Sequence, residues 1–478
     1  MNRLGIIDLG SNSARLVIYV IGEQGQYRPS FRLKRNTRLA HYLDADKGLS
    51  EAGIDRAIRD VSAFRSAGQQ FGIQQWIPVT TAAIRQAANR AEVLGRLQDH
   101  TGLTFRLLTG EEEAWYSYLG VINTMDIRDG LFVDIGGAST EVMQVQNRQL
   151  VHAVSIPFGA LTLTRRFQQV PQAQQTQAIT KFMKDTFADH AWIQGCSGLP
   201  IVGIGGTARA VAKIARQMHA TEMNRYHGYE IDEATLAGIY GAIEKSSVQE
   251  RQKLGKLSDT RAEMIHAGVA VIRALADSIA APRFLVSGSG LREGLFYEHL
   301  FQTRETPVLN DVKQHSVHNM LTLFDVNPDL AAQVADCAVH LFDALCPLHH
   351  LGPSVRELLY YAAMTDMMGT YINAERYTTH THYLLWSSHL YGFTQTELST
   401  MTQIQTGKGP KTNRRLHLFI QLAKRLVWEG GWRAEHLHFL LTGKKLTISP
   451  ASGGPLAIDL NGVAKGLHKR FGVTLQVP

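Results

Sequence analysis

Two short stretches limit what this chain can fold into more than any other feature. "IDLGSNSARL" (Ile7–Leu16) and "VDIGGASTEV" (Val133–Val142) share one grammar: an apolar run, an aspartate, a glycine turn, then small hydroxyl or amide residues. A hairpin turn of this kind leaves several backbone N–H groups pointing the same way, a nest that binds phosphate oxygens. Glycine lets the backbone approach such a ligand with no Cβ in between. Ser11, Asn12 and Ser13 in the first turn, and Gly136, Gly137, Ser139 and Thr140 in the second, are the candidate donors. Asp8 and Asp134 sit where a hard cation such as Mg²⁺ is held beside phosphate, usually through water. One Asp-Gly turn after a strand is ordinary hairpin chemistry. Two copies, each opening a similar half, point to turns that face each other and grip a phosphate between lobes.

The rhythm of the chain supports two such halves. "LGIIDLG", "ARLVIYVI" and "YRPSFRLKRNTRLAHYL" read as strands, and a helix follows from Ser50 to about Gln70 with Ile54, Ile58, Val61 and Phe64 on one stripe. "WIPVTT" and "FRLLTG" are further strands, each followed by a helical run. After Asp129 the pattern restarts with "GLFVDIGG", "STEVMQVQ", "LVHAVSIP" and "PIVGIGG". This alternation indicates α/β layers. The expected division is one lobe over 1–125, a second over 126–305, a helical domain over 306–428 and a small C-terminal α/β cap over 429–478.

Composition narrows the class. The three cysteines form no CxxC spacing, which argues against a cysteine zinc site or a disulfide framework and suits a reducing compartment. No apolar run reaches the ~18 residues of a membrane-spanning helix. "MNRLGIIDLGSN" enters a strand without a leader-like segment, so a cytoplasmic protein is expected. The net charge of +7 is uneven: residues 401–478 hold twelve Lys and Arg against Glu429, Glu435 and Asp459. A basic end on a near-neutral body suits an anionic partner as well as it suits a solvated face.

Six stretches occur in order: "IDLGSNSARL", "VTTAAIRQAANR", "LLTGEEEAWYSYLGV", "VDIGGASTE", "VGIGGTARA" and "VSGSGLREGLFYE". Together they closely resemble the exopolyphosphatase/guanosine pentaphosphate phosphatase family (Ppx/GppA) of the actin-like ATPase superfamily, from about Leu4 to Leu300. The resemblance implies two duplicated ribonuclease-H-like (actin-like) lobes followed by an all-helical HD-like domain. It implies Mg²⁺-dependent hydrolysis (Mn²⁺ is the other candidate ion) of terminal phosphate from inorganic polyphosphate. The sister activity is removal of the 5′ γ-phosphate of guanosine pentaphosphate (pppGpp). A non-catalytic polyphosphate or alarmone sensor is the reading from another class. The resemblance marks Glu113, rather than Glu111 or Glu112, as the carboxylate that orients or deprotonates water. Acidic residues at a helix start need no such role, since they complement the helix dipole. The same resemblance makes Arg15 and Arg85 polyanion contacts, Gly205, Gly206 and Thr207 cleft residues, Asp8 and Asp134 the metal environment, and a homodimer the expected assembly.

In the helical domain, "LLYYAAMTDMMG" has Thr365 where an HD-type histidine would stand, leaving Asp366 without its partner. A lost metal site and a structural or substrate-binding role follow. His349 and His350 are expected at the surface. Lys408, Lys411, Arg414, Arg415, Lys444 and Lys445 are candidates for guiding a polyanion; neither a membrane nor a specific nucleic acid is expected as partner.

Overall fold

A computed structural model describes residues 1–44, 48–219, 225–456 and 458–477. The chain divides into two units, residues 1–312 and 313–478. The first unit holds two large sheets, besides a short two-stranded pairing of Leu43–Asp44 with Gly48–Leu49. β1 (Asn2–Leu9), β2 (Ala14–Ile21) and β3 (Tyr27–Arg35) form an antiparallel meander, to which β4 (Gln75–Thr80) and β5 (Arg106–Leu107) add in parallel, in the order β3-β2-β1-β4-β5. The second sheet repeats this plan. β6 (Gly130–Ile135), β7 (Thr140–Gln146) and β8 (Gln149–Ile156) are its meander, and β9 (Ile201–Ile204) and β11 (Arg283–Val286) its parallel strands. The antiparallel strand β10 (Tyr229–Asp232) closes the edge, giving β8-β7-β6-β9-β11-β10.

The central strands read as near-continuous apolar runs because both of their faces are covered. Ile7 and Leu9 of β1 pack with Leu16 and Ile18 against Ile54, Val61 and Phe64 of α1 (Glu51–Gln70). Leu4 and Ile6 are equally buried on the opposite side. In the second lobe, α4 (Asp259–Ile279) buries Ala267, Val271 and Leu275 in the core that includes Ile201 and Phe284.

Two helices join the lobes. α2 (Gly110–Ile122) leads out of the first sheet, and α5 (Leu291–Leu300) follows the last strand of the second. They pack together more closely than Cβ atoms allow: one on Gly120 would run into the Gly290 carbonyl, and one on Gly294 into that of Tyr116. From α5, Phe296 stacks on Tyr19 of β2 with ring centroids 3.9 Å apart, and Tyr297 shares a 2.9 Å hydroxyl contact with Tyr27 of β3.

The second unit runs as successive helices from Lys313 to about Glu429, then β12 (Leu437–Thr442), β13 (Lys445–Pro450), the helix Asn461–Phe471 and β14 (Thr474–Gln476). Leu446, Ile448, Leu467 and Val473 lie in the same core as Leu359, Leu398 and Phe419 of the helices. Residues 429–478 therefore share the helical domain's core instead of forming a body of their own. No helix among the described residues is long and apolar enough to cross a membrane.

Gly120→Ala and Gly294→Ala each force main chain apart, so each should lower stability by on the order of 1–3 kcal/mol or more. Gly241→Ala, on the helix Glu233–Glu244 with open space around it, should be neutral or stabilising by up to about 1 kcal/mol. Urea unfolding midpoints of the three variants check this, and equal stability of all three would refute the backbone contact.

Candidate active site

The two meanders bring their first hairpins to one place. In the first, Gly10 N–H donates to Ser13 O at 3.2 Å; in the second, Gly136 N–H donates to Ser139 O at 3.0 Å. The registers also correspond: Asp8 lies opposite Arg15, and Asp134 opposite Glu141. Both turns line one cavity of about 180 Å³, with Ser11, Asn12, Ser13, Gly136, Gly137 and Ser139 in its wall. Each lobe thus supplies one wall of the cavity.

α2 supplies Glu113, and its local sequence explains why only one of three glutamates arrives. Thr109 and Glu112 form a capping box, with Glu112 N–H donating to Thr109 Oγ1 at 3.1 Å and Thr109 N–H to Glu112 Oε2 at 2.8 Å. Glu111 is exposed, whereas Glu113 is buried and lines the cavity. One turn on, Ser117 Oγ donates to Asp134 Oδ2 at 3.1 Å, so α2 presents positions 113 and 117 to the second lobe's aspartate.

α3 (Gly205–Met218) starts as soon as β9 ends, and Gly205 and Gly206 at its N-terminus line the cavity. Free N–H groups at a helix start suit an anion. Gly205 has φ +80°, and a Cβ there would lie 2.6 Å from Asp134 Oδ1. No other residue type fits without displacing the aspartate.

The charges are in an unusual state. Burial pushes the Glu113 carboxyl up to about 7; Arg85 opposes this, and Asp8 and Asp134 add to it. Burial also raises Asp8, against Arg292 and Arg15, and raises Asp134, against the Ser117 hydrogen bond. Glu141, held by Ser155 Oγ at 2.8 Å, is raised well above the carboxylate range by burial and then by Glu113 and Asp134. The arginines move the other way: burial and then Arg292 and Arg209 lower Arg15 to about 9, and burial and then Arg292 lower Arg209 to about 10. Arg261 is lowered by burial and Arg15. Burial shifts both signs towards neutrality, and like charges gathered close together add to the shift.

Three expected site residues go elsewhere. Thr140 Oγ1 donates to Phe158 O at 2.7 Å and is fully buried, since strand alternation turns it away from the cavity. Thr207 is directed at the Ile135 carbonyl, 3.4 Å away, on the inner side of α3. Arg85 does not line the cavity: its Nη1 donates to Leu108 O at 2.7 Å and to Glu113, which makes it a partner of the carboxylate and not an exposed polyanion contact. Four charged lining residues were missed, namely Glu141, Arg209, Arg261 and Arg292. Three stand inside quoted motifs, and Glu141 could have been found by matching it to Arg15 across the two hairpins.

Asp8 and Asp134 fit the expected cation. They are half-buried carboxylates whose charges bear on one another, and they line one cavity together with the donor-rich turns. Among the described residues no three acidic, histidine or cysteine side chains cluster closely enough to hold an ion alone. Two carboxylates are a donor set that Mg²⁺ could use, since it usually takes one or two and keeps waters.

In the second unit Asp366 is 2% exposed and bound by Lys424 Nζ at 2.7 Å, and Lys424 also reaches the Tyr377 hydroxyl. Thr365 Oγ1 donates to Tyr361 O at 2.7 Å. The aspartate's charge is met by an ammonium group within the fold. His349, expected at the surface, is tied to Phe342 O at 2.8 Å and accepts from Leu351 N–H at 3.0 Å.

Comparisons with known proteins bear on the family and on the fold. The profile of the Ppx/GppA phosphatase family matches residues 17–303, and that of Ppx/GppA phosphatase domain III matches 312–424. A Ppx/GppA family member from Aquifex aeolicus is 25% identical with a TM-score of 0.56, covering 64% of this chain and 99% of its own. An exopolyphosphatase from Cytophaga hutchinsonii is 21% identical with a TM-score of 0.59, covering 63% and 98%, and this likeness concerns the fold alone.

Two outcomes follow. Arg85 lowers the proton affinity of Glu113, so Arg85→Ala should raise it above about 7. If the ionised form is needed, the acidic limb of the pH profile of phosphate release moves to higher pH, with Arg85→Lys shifting it less; an unmoved limb would refute the coupling. Lys424→Met leaves the Asp366 carboxylate buried and unpaired, which should cost about 3–5 kcal/mol in denaturant unfolding. Replacing both residues, as in Lys424→Met with Asp366→Leu, should recover much of that loss.

Proposed function

Since this chain belongs to the Ppx/GppA phosphatase family, we propose that it is an exopolyphosphatase, releasing orthophosphate from the end of inorganic polyphosphate. The observation that carries the reading is the cavity itself: two glycine turns rich in N–H and hydroxyl donors, four arginines and one buried glutamate poised near neutrality. Among the described residues no aromatic side chain lines it, so it offers no platform on which a guanine base would stack.

The terminal phosphoryl group would lie between the turns at Ser11–Ser13 and Gly136–Ser139. Their N–H and hydroxyl groups, with Arg15, Arg209, Arg261 and Arg292, would bind its oxygens and stabilise the charge that grows in the transition state. Glu113 would take a proton from water as the water oxygen bonds to phosphorus. The anhydride P–O bond then breaks, leaving its electron pair on the bridging oxygen of the shortened chain. A Mg²⁺ ion beside Asp8 and Asp134 would neutralise part of the phosphate charge. Arg85 would hold the Glu113 carboxylate in position, and Ser117 would do the same for Asp134.

The test compares orthophosphate release, with Mg²⁺, from long-chain polyphosphate and from pppGpp at matched terminal-phosphate concentration. Faster release from polyphosphate supports this reading. Faster release from pppGpp replaces it with an alarmone phosphatase, and no release from either leaves a sensor. Glu113→Gln should lower kcat about 10²–10⁴-fold while substrate still binds. Retained turnover in that variant would remove Glu113 from its role.

A further inference from the structure

The second sheet departs from the plan of the first at one strand. β10 has no counterpart in the first sheet among the described residues. It pairs with β11 from Tyr229, opposite Val286, and Gly228 N–H donates to Val286 O at 2.9 Å. Its start therefore lies where β11 gives way to the Ser287–Gly290 turn, of which Gly288, Ser289 and Gly290 line the cavity. His227 is delivered to that turn. It is 8% exposed and is not itself a lining residue.

The N–H groups of this turn are spent on holding it. Ser289 N–H donates to Ser287 Oγ at 3.1 Å, and Gly290 N–H to Glu293 Oε2 at 3.0 Å; both partners are local. Gly288 N–H donates to His227 Nδ1 at 3.1 Å, a partner 61 residues away. On its other side the ring reaches Thr124 O at 2.9 Å, just past the end of α2. These partners decide the tautomer: an N–H only donates and a carbonyl only accepts, so Nδ1 is bare and Nε2 carries the proton. Thr124 Oγ1 in turn donates to Gly120 O at 2.6 Å, and a Cβ on Gly120 would run into the Gly290 carbonyl. The contacts close a ring from Gly288 through His227, Thr124 and Gly120 to Gly290. Within it the glycine contact limits how closely turn and helix approach, and the imidazole limits how far they part.

We propose that His227 is a positioning residue for the reaction: as the neutral Nε2–H imidazole it ties the Ser287–Gly290 turn to the end of α2. The proposal rests on the reading of the cavity as the place where phosphate is released. α2 presents Glu113 and Ser117, and the turn leads directly into Arg292, which reaches Asp8 at 3.8 Å. A bridge from turn to helix thus sets the arginine's place relative to the glutamate and to Asp134, without touching substrate. Both groups that the ring holds are main chain, so no change of side-chain rotamer at either end loosens the tie.

The experiment is steady-state orthophosphate release by the full chain, from long-chain polyphosphate or from pppGpp, whichever the wild type cleaves faster, with kcat referred to the folded fraction. His227→Ala should lower kcat about 10–100-fold and leave KM within about twofold, because misplacement of reacting groups slows the chemistry more than it weakens binding. His227→Asn keeps an acceptor for Gly288 N–H but falls short of Thr124 O, so it should recover only part of the loss. Full recovery by Asn would show the tie to α2 to be idle. An unchanged kcat with a lower urea midpoint would leave His227 a purely structural residue, and either result overturns the proposal. In the wild-type chain, ¹⁵N labelling of histidine should give an Nε2–H tautomer signal that His227→Asn removes; an Nδ1–H form there would overturn the bridge whatever the activity. A wild-type chain that releases phosphate from neither substrate refutes the enzyme, and the positioning role with it, whereas an active wild type with an unaltered His227→Ala refutes the positioning role alone.

Discussion

Gly120 and Gly294 let α2 and α5 meet main chain to main chain, and most of the first unit's chemistry depends on that contact. α2 carries Glu113 and Ser117, while α5 begins at the Ser287–Gly290 turn and carries Arg292. Fixing one helix against the other fixes the glutamate against the arginine, and both against Asp134. The stacking of Phe296 on Tyr19 ties this pair to β2, the strand that also carries Arg15. A site between lobes needs sub-ångström control of groups that arrive from distant parts of the chain. Two absent side chains supply that control better than added contacts could, because a backbone–backbone approach leaves little room to slide.

How much of this the sequence disclosed depends on the range of the interaction involved. The turns at Gly10–Ser13 and Gly136–Ser139 were legible because their chemistry is local: an aspartate, a glycine and hydroxyl groups within seven residues, repeated. Glu113 was singled out only by resemblance. Its physical reason, that Glu112 is consumed by the capping box while Glu111 is left in solvent, needs the helix start at Gly110. Arg209, Arg261 and Arg292 were invisible as a group, since three helices bring them together and no spacing in the sequence records that. The misplacements of Thr140 and Thr207 are errors of direction. Each lies one position past a residue that lines the cavity, and one step along a strand, or about 100° around a helix, turns a side chain from ligand to core.

The two units resolve the problem of buried charge in opposite ways. In residues 313–478, Asp366 meets Lys424 at 2.7 Å, and the polar groups around it are occupied by Tyr361, Gln405 and Tyr377. That arrangement stabilises a fold and has no unsatisfied charge to offer a ligand. In residues 1–312 the carboxylates and arginines of the cavity are incompletely matched: Arg292 reaches Asp8 only at 3.8 Å, and no carboxylate pairs with Arg15 or Arg209 among the described residues. The contrast explains why Asp366, though an aspartate at a motif position, does not resemble Asp8 or Asp134 in behaviour.

Incomplete matching has a cost, and its sign can be worked out. Glu113 titrates near 7 in the fold against about 4.5 in an unfolded chain, so between those values the native state holds a proton that the unfolded state has released. By linkage, that group's contribution to stability falls as pH rises through this window and is at its lowest above about 7. Asp8, Asp134 and Glu141 act in the same direction. Arg15 and Arg209, lowered to about 9 and 10, remain charged at neutral pH in both states, so their burial penalty is carried by the fold in full there. The cavity's own charges are therefore least stable at the pH where its carboxylates are ionised and able to bind a cation or accept a proton. A bound phosphate would restore the arginines' affinity for their protons, and a bound cation would favour ionised carboxylates. Both ligands would thus stabilise the unit by relieving the same strain that prepares it for them.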